Sequence, residues 1–133
     1  MGPSGIGPAG VPAPARAVGK RVASVVALVP DLLFGSSVVS LLSAAGHETV
    51  LISSLDQFAG READVVLVDL TADAQDRVEQ ITTANLGDAR RLAVYAHVEA
   101  DVRRLAQEAG FDLVVPRSRF MREGAALVSR LAA

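Results

Sequence analysis

The sequence predicts an α/β fold: a three-layer, doubly wound domain built on a five-stranded parallel sheet. Two observations carry this. Residues 63–70, Ala-Asp-Val-Val-Leu-Val-Asp-Leu, form an apolar, largely β-branched run that ends in a carboxylate. Such a run suits a strand buried on both faces, with Asp69 at its C-terminal end. Runs of this kind also alternate with segments of helical spacing five times along the chain, which implies a parallel sheet with right-handed crossovers.

Size and composition bound the rest. The chain has 133 residues, half of them hydrophobic, enough for one domain with one core. A formal net charge of -2 gives no field that favours nucleic acid or an acidic membrane. Cysteine is absent, which excludes disulfides, thiolate zinc sites and cysteine nucleophiles and makes the cytoplasm the expected location. Residues 1–20 are rich in Gly, Pro and Ala and have little to bury, so they read as a disordered tail ahead of a domain over 21–133. Residues 24–46 carry a single charge, Asp31, and are long enough to span a bilayer. Pro30-Asp31 divides them, however, into a β-branched half and a helically spaced half, so a strand and a buried helix are expected instead of a membrane span.

The elements follow in order. Residues 21–29 form the first strand. Asp31 is placed to cap a helix from Leu32, whose apolar stripe is Leu33, Phe34, Val38, Leu41, Leu42 and Ala45 and which Gly46 ends. Residues 48–53 form a second strand. Ser54 and Gln57 match a capping box for a short helix to about Ala59. After the central strand, Thr71 or Asp73 caps a helix through about Ala84, with Ala74, Val78 and Ile81 inward. Residues 91–96 form the fourth strand, with His97 at its end. A helix with Val98, Val102, Leu105, Ala106 and Ala109 on its apolar stripe stops at Gly110. Residues 111–115 form the fifth strand. Residues 116–119 read as a loop with Ser118 as cap, and the last helix buries Phe120 or Met121, Leu127, Val128 and Leu131. The expected strand order is 2-1-3-4-5, the flavodoxin-like order.

With these residues in place, the chain resembles the receiver (CheY-like) domain of bacterial response regulators over about residues 21–132. The run Val65–Leu70 is similar to the family strand that ends in the phospho-accepting aspartate, which makes Asp69 the equivalent position. Residues 97–112, with the ending Ala106-Gln107-Glu108-Ala109-Gly110-Phe111-Asp112, look like the family's fourth helix and its exit. The departures are specific. Where the family has an acidic pair after the first strand, this chain has Val29-Pro30-Asp31. Where the family has Thr or Ser after the fourth strand, it has Ala96-His97. Where the family has Lys-Pro, it has Val115-Pro116-Arg117. Acyl phosphate chemistry needs Mg²⁺ on several oxygen ligands, and here Asp31 and Asp69 with water could offer only a weak site.

The fold would gather Asp31, Asp69, His97, Arg117 and Ser118 at the C-terminal rim of the sheet, the usual ligand edge of such folds. Each also has a plainer role. Asp31 and His97 would cap helices, Asp69 would cap or pair with Arg117, and residues 117–119 would be a solvated loop. There is no dinucleotide fingerprint, no Walker loop and no nucleophile elbow. The expectation is a stand-alone, receiver-like regulator without conventional aspartyl phosphorylation or any cofactor beyond weak Mg²⁺. It would act through a protein partner or as a homodimer, using its last two helices and neither nucleic acid nor membrane. The alternatives are a small ligand- or metal-binding protein or enzyme that uses the rim, and a working phospho-receiver on Asp69.

Overall fold

The computed structural model describes residues 22–96 and 100–133. The predicted tail and His97 lie outside them. In chain order the strands are β1 (Ser24–Leu28), β2 (Glu48–Ile52), β3 (Val65–Asp69), β4 (Arg90–Tyr95) and β5 (Leu113–Pro116). The helices are α1 (Leu32–Ala44), α2 (Ala74–Thr83), α3 (Ala100–Glu108) and α4 (Arg117–Ala132). All pairings are parallel, in the order β2-β1-β3-β4-β5, as the sequence predicts. No helix among the described residues is long and apolar enough to cross a membrane.

Strand alternation divides the core in two. Val25, Ala27, Val65, Leu67, Leu92, Val94 and Val115 face α1 and α4, where they meet Val38, Leu42, Phe120, Leu127 and Val128. Val26, Leu28, Val66, Val68 and Ala93 face the other layer with Val78, Ile81, Ala106 and Phe111. Every residue of β3 is buried, as a central parallel strand requires. By the same alternation, Asp69 shares the parity of Val65 and Leu67. Its side chain therefore belongs to the face on which α1 and α4 begin, which positions the rim site described below.

One local expectation holds and two are corrected. The capping box of Ser54 and Gln57 is present and leads a short helix of 3₁₀ type, Leu55–Phe58, with the Gln57 side-chain oxygen accepting from the N–H groups of Ser53 and Ser54. Neither Thr71 nor Asp73 caps α2: Thr71 is bonded to Asp69, and Asp73 sits in the left-handed region at φ 54° with no capping bond. Finally, no loop separates β5 from α4. The strand starts at Leu113 and runs into the helix through Pro116, whose φ of -67° and ψ of 153° suit both a strand end and an N-cap position. Ser118 is thus an exposed first-turn residue and not the cap.

His47 has a role that the sequence did not disclose. It is buried; its Nδ1 accepts the N–H of Ala23, while Nε2 lies 3.2 Å from the carbonyl of Ala125 and 3.3 Å from the Ser129 hydroxyl. One ring thereby ties the lead-in to β1 and the start of β2 to the middle of α4. Because Nδ1 accepts, Nε2 carries the proton and donates.

Two substitutions test this packing. Phe120→Ala removes a fully buried ring and is expected to cost about 3–5 kcal/mol in urea unfolding. His47→Phe keeps a planar ring but orphans the Ala23 N–H, at a cost of at least about 1–3 kcal/mol.

Candidate functional site: two aspartates bridged by an arginine

The rim site is assembled by three chain ends. Asp69 ends β3, Asp31 precedes α1, and Arg117 is the first residue of α4. Asp31 caps α1 as predicted, with Oδ1 accepting the N–H of Phe34 at 3.1 Å. That bond, with the Arg117 guanidinium nearby, holds the Asp31 carboxyl below the usual carboxylate range, although desolvation partly opposes them.

Arg117 spans the two carboxylates. One terminal nitrogen bonds Asp69 Oδ2 in a short, charge-assisted contact, and the other lies 3.5 Å from Asp31 Oδ2. The guanidinium carbon also lies 4.0 Å from the centroid of the Phe34 ring, so the cation is stacked on an aromatic face while its edge serves the carboxylates. The other oxygen of Asp69, Oδ1, accepts the Thr71 N–H at 3.0 Å and the Thr71 hydroxyl at 2.6 Å. Asp69 is only 4% exposed, and each of its oxygens is engaged.

A cavity of about 260 Å³ opens beside these groups, lined by Pro30, Asp31, Asp69, Thr71, Asp73, Arg77 and Arg117 among others. The Nε atoms of Arg77 and Arg117 are buried and lack a hydrogen-bond partner among the described residues. Those residues contain no group of three metal-ligating side chains. The guanidinium engages Oδ2 of both aspartates, closely at Asp69 and at 3.5 Å at Asp31.

Of the five rim residues singled out in the sequence, the structure brings Asp31, Asp69 and Arg117 together. Ser118 makes no bond to them, and His97 lies outside the described residues. Sequence reasoning missed Thr71, Phe34 and Arg77. The Thr71 bond had a signal: Asp followed two residues later by a donor is the pattern of an Asx turn. The stacking of Phe34 under Arg117 joins residues 83 positions apart and had none.

No protein-family model matches the chain, and no curated protein matches it by sequence. Solved structures do match it in shape. A response regulator from Thermotoga maritima superposes with a TM-score of 0.73 at 14% identity, over 84% of this chain and 98% of its own. The receiver domain of a NarL response regulator from Mycobacterium tuberculosis gives 0.68 at 22% identity, over 84% and 96%. An atypical orphan response regulator, described as having a phosphorylation-independent regulatory mechanism, gives 0.66 at 18% identity, over 82% and 94%. At these identities the likeness is one of fold: the chain is built as response-regulator receiver domains are built.

Proposed function

We propose that the chain is a receiver-like regulatory domain that works by protein contact and not by conventional phosphorylation of Asp69. The observation that carries this reading is the state of the Asp69 carboxylate. A phospho-acceptor must direct an oxygen lone pair at phosphorus, with Mg²⁺ beside it to neutralise the phosphoryl oxygens. Here Oδ2 is bound to Arg117 and Oδ1 to two donors of Thr71. Arg117 supplies internally the positive charge that a metal would bring, and it occupies the carboxylate edges the metal would need. The atypical orphan regulator of the same fold, with its phosphorylation-independent mechanism, supports the same reading. The partner-facing surface in this proposal is the charged outer side of α3 and α4, with Arg103, Arg104, Glu108, Arg122, Glu123 and Arg130 exposed.

One observation favours a second reading, a small anion held in the rim cavity. Arg77 makes no ion pair among the described residues; it lines the cavity with Arg117, and the Nε of each is buried without a hydrogen-bond partner among those residues. Three aspartates line the same space, so the favourable charge is local to the two arginines.

Two experiments test the proposal. Intact-mass measurement after incubation with acetyl phosphate and Mg²⁺ is expected to show no phosphoryl adduct on a folded protein. An adduct on the wild type that Asp69→Asn abolishes would overturn the proposal and restore the phospho-receiver.

The bridge itself is tested by a double-mutant cycle. Arg117→Ala leaves a buried, uncompensated carboxylate and should cost about 3 kcal/mol, the low end for a buried pair because Arg117 is partly exposed. The same change in an Asp69→Asn background should cost clearly less, with a coupling of about 1–3 kcal/mol by chemical denaturation. Additive costs would mean that the pair does not hold the rim.

A further inference from the structure

The rim cavity is lined by charges of both signs that the bridge leaves unused. Arg117 serves Asp69 and Asp31, and Asp69 also takes both donors of Thr71. Two charged lining residues remain, Asp73 and Arg77. Arg77 makes no ion pair among the described residues, and its Nε is buried without a hydrogen-bond partner there. Asp73 is exposed, and its carboxylate makes neither a capping bond nor an ion pair among those residues. It is also the one described residue other than glycine with a left-handed backbone, at φ 54°, a conformation that concentrates at ligand sites. The two stand one turn apart, joined by the bond from the Arg77 N–H to the Asp73 carbonyl at 3.0 Å. An acid and a base at that spacing are within reach of each other. Here they stay unpaired, so both charges are open to a third body beside them.

Charge selects the kind of ligand. Three carboxylates and two guanidinium groups line the cavity. A simple anion is repelled by the first set and a simple cation by the second. A molecule of no net charge that carries one group of each sign satisfies Asp73 and Arg77 together. At about 260 Å³ the cavity lies just below the roughly 300–1,000 Å³ of pockets for drug-sized ligands, so the molecule is small. Partners one helical turn apart also require that its two charges lie close together. The α-ammonium and α-carboxylate of an amino acid leave the same carbon.

We propose that the rim cavity binds a small α-amino acid, with its carboxylate on Arg77 and its ammonium on Asp73. Thr71, which lines the same cavity, offers a second acceptor. Its hydroxyl proton is committed to Asp69, and its oxygen lone pairs remain for the ammonium. A ligand held in this way displaces neither Arg117 nor any other partner of Asp69. The assignment rests on the second reading above, in which the rim cavity takes a small anion, and adds the second charge. With two charge-assisted contacts at an open rim, binding is weak, with dissociation on the order of 1 mM.

Amide NMR of the whole, isotope-labelled chain tests the proposal. Glycine and alanine are titrated into the tens of millimolar at fixed ionic strength, beside acetate, methylammonium and sulfate. The expected result is saturating shifts at residues 71–77 with both amino acids, and binding at least tenfold weaker for acetate and methylammonium. Asp73→Asn and Arg77→Gln should each weaken amino-acid binding at least tenfold and leave distant amides in place. Asparagine keeps the shape of the carboxylate and accepts the left-handed backbone. Acetate or sulfate binding as tightly as glycine overturns the amino-acid assignment and leaves the anion reading standing. No saturable shift with any of the five probes overturns both. Amino-acid shifts that the two substitutions leave unchanged overturn the assignment as well.

Discussion

A guanidinium that serves two carboxylates must be held flat between them, and most of the rim follows from that requirement. Arg117 meets it because α4 starts without a linker at the end of β5, which places its first side chain at a fixed height over the sheet. The Phe34 ring fixes the plane of the guanidinium from beneath. Asp69 arrives from the central strand, and Asp31 arrives from the cap of α1. Lysine, with a point charge on a flexible stem, would reach either carboxylate but would not bridge both in one plane. The bridge also decides what the rim can do. A buried carboxylate with a fixed internal counter-ion is a structural group until that ion moves.

Strand parity links the bridge to the core. Because Asp69 continues the alternation of Val65 and Leu67, it lies in the layer of α1 and α4 and not in that of α2 and α3. The His47 ring acts farther along the same layer, tying α4 to the opposite end of β1 and β2. The start of α4 is held by Arg117 and its middle by His47. The helix is thus anchored at both ends of the sheet by polar contacts, with Phe120, Leu127 and Val128 packed between them.

The fold was largely legible in the sequence because buried parallel strands are nearly continuous apolar runs, and five of them alternating with helical spacing admit few topologies. The rim was legible in part for the same reason: topology alone brings the ends of β3 and β5 and the start of α1 to one edge. What sequence could not supply was pairing, which depends on side-chain reach across the rim. Thr71 reads as a helix cap until its hydroxyl is seen on Asp69. Residues 116–119 read as a loop because Pro-Arg-Ser-Arg is polar, yet the fixed φ of proline suits a strand end and a helix start equally. The polar residues there are the first turn of α4, and one of them is the bridge.

The first turn of α1 and its two sides are committed differently. Its first turn is committed to the bridge, through the Asp31 cap and through Phe34 under Arg117. Its inner side is committed to the sheet, where Gly35 lies so close to the Leu51 side chain that any larger residue would displace it. Only its outer side is free, and that side is uncharged. That outer side belongs to the same helix whose cap and aromatic ring hold the guanidinium. A small rotation of α1 would shift Asp31 and Phe34 together and so alter the pairing of Asp69 without any change at Asp69 itself. The pairing of Asp69 is thus coupled, through Arg117, to the position of α1.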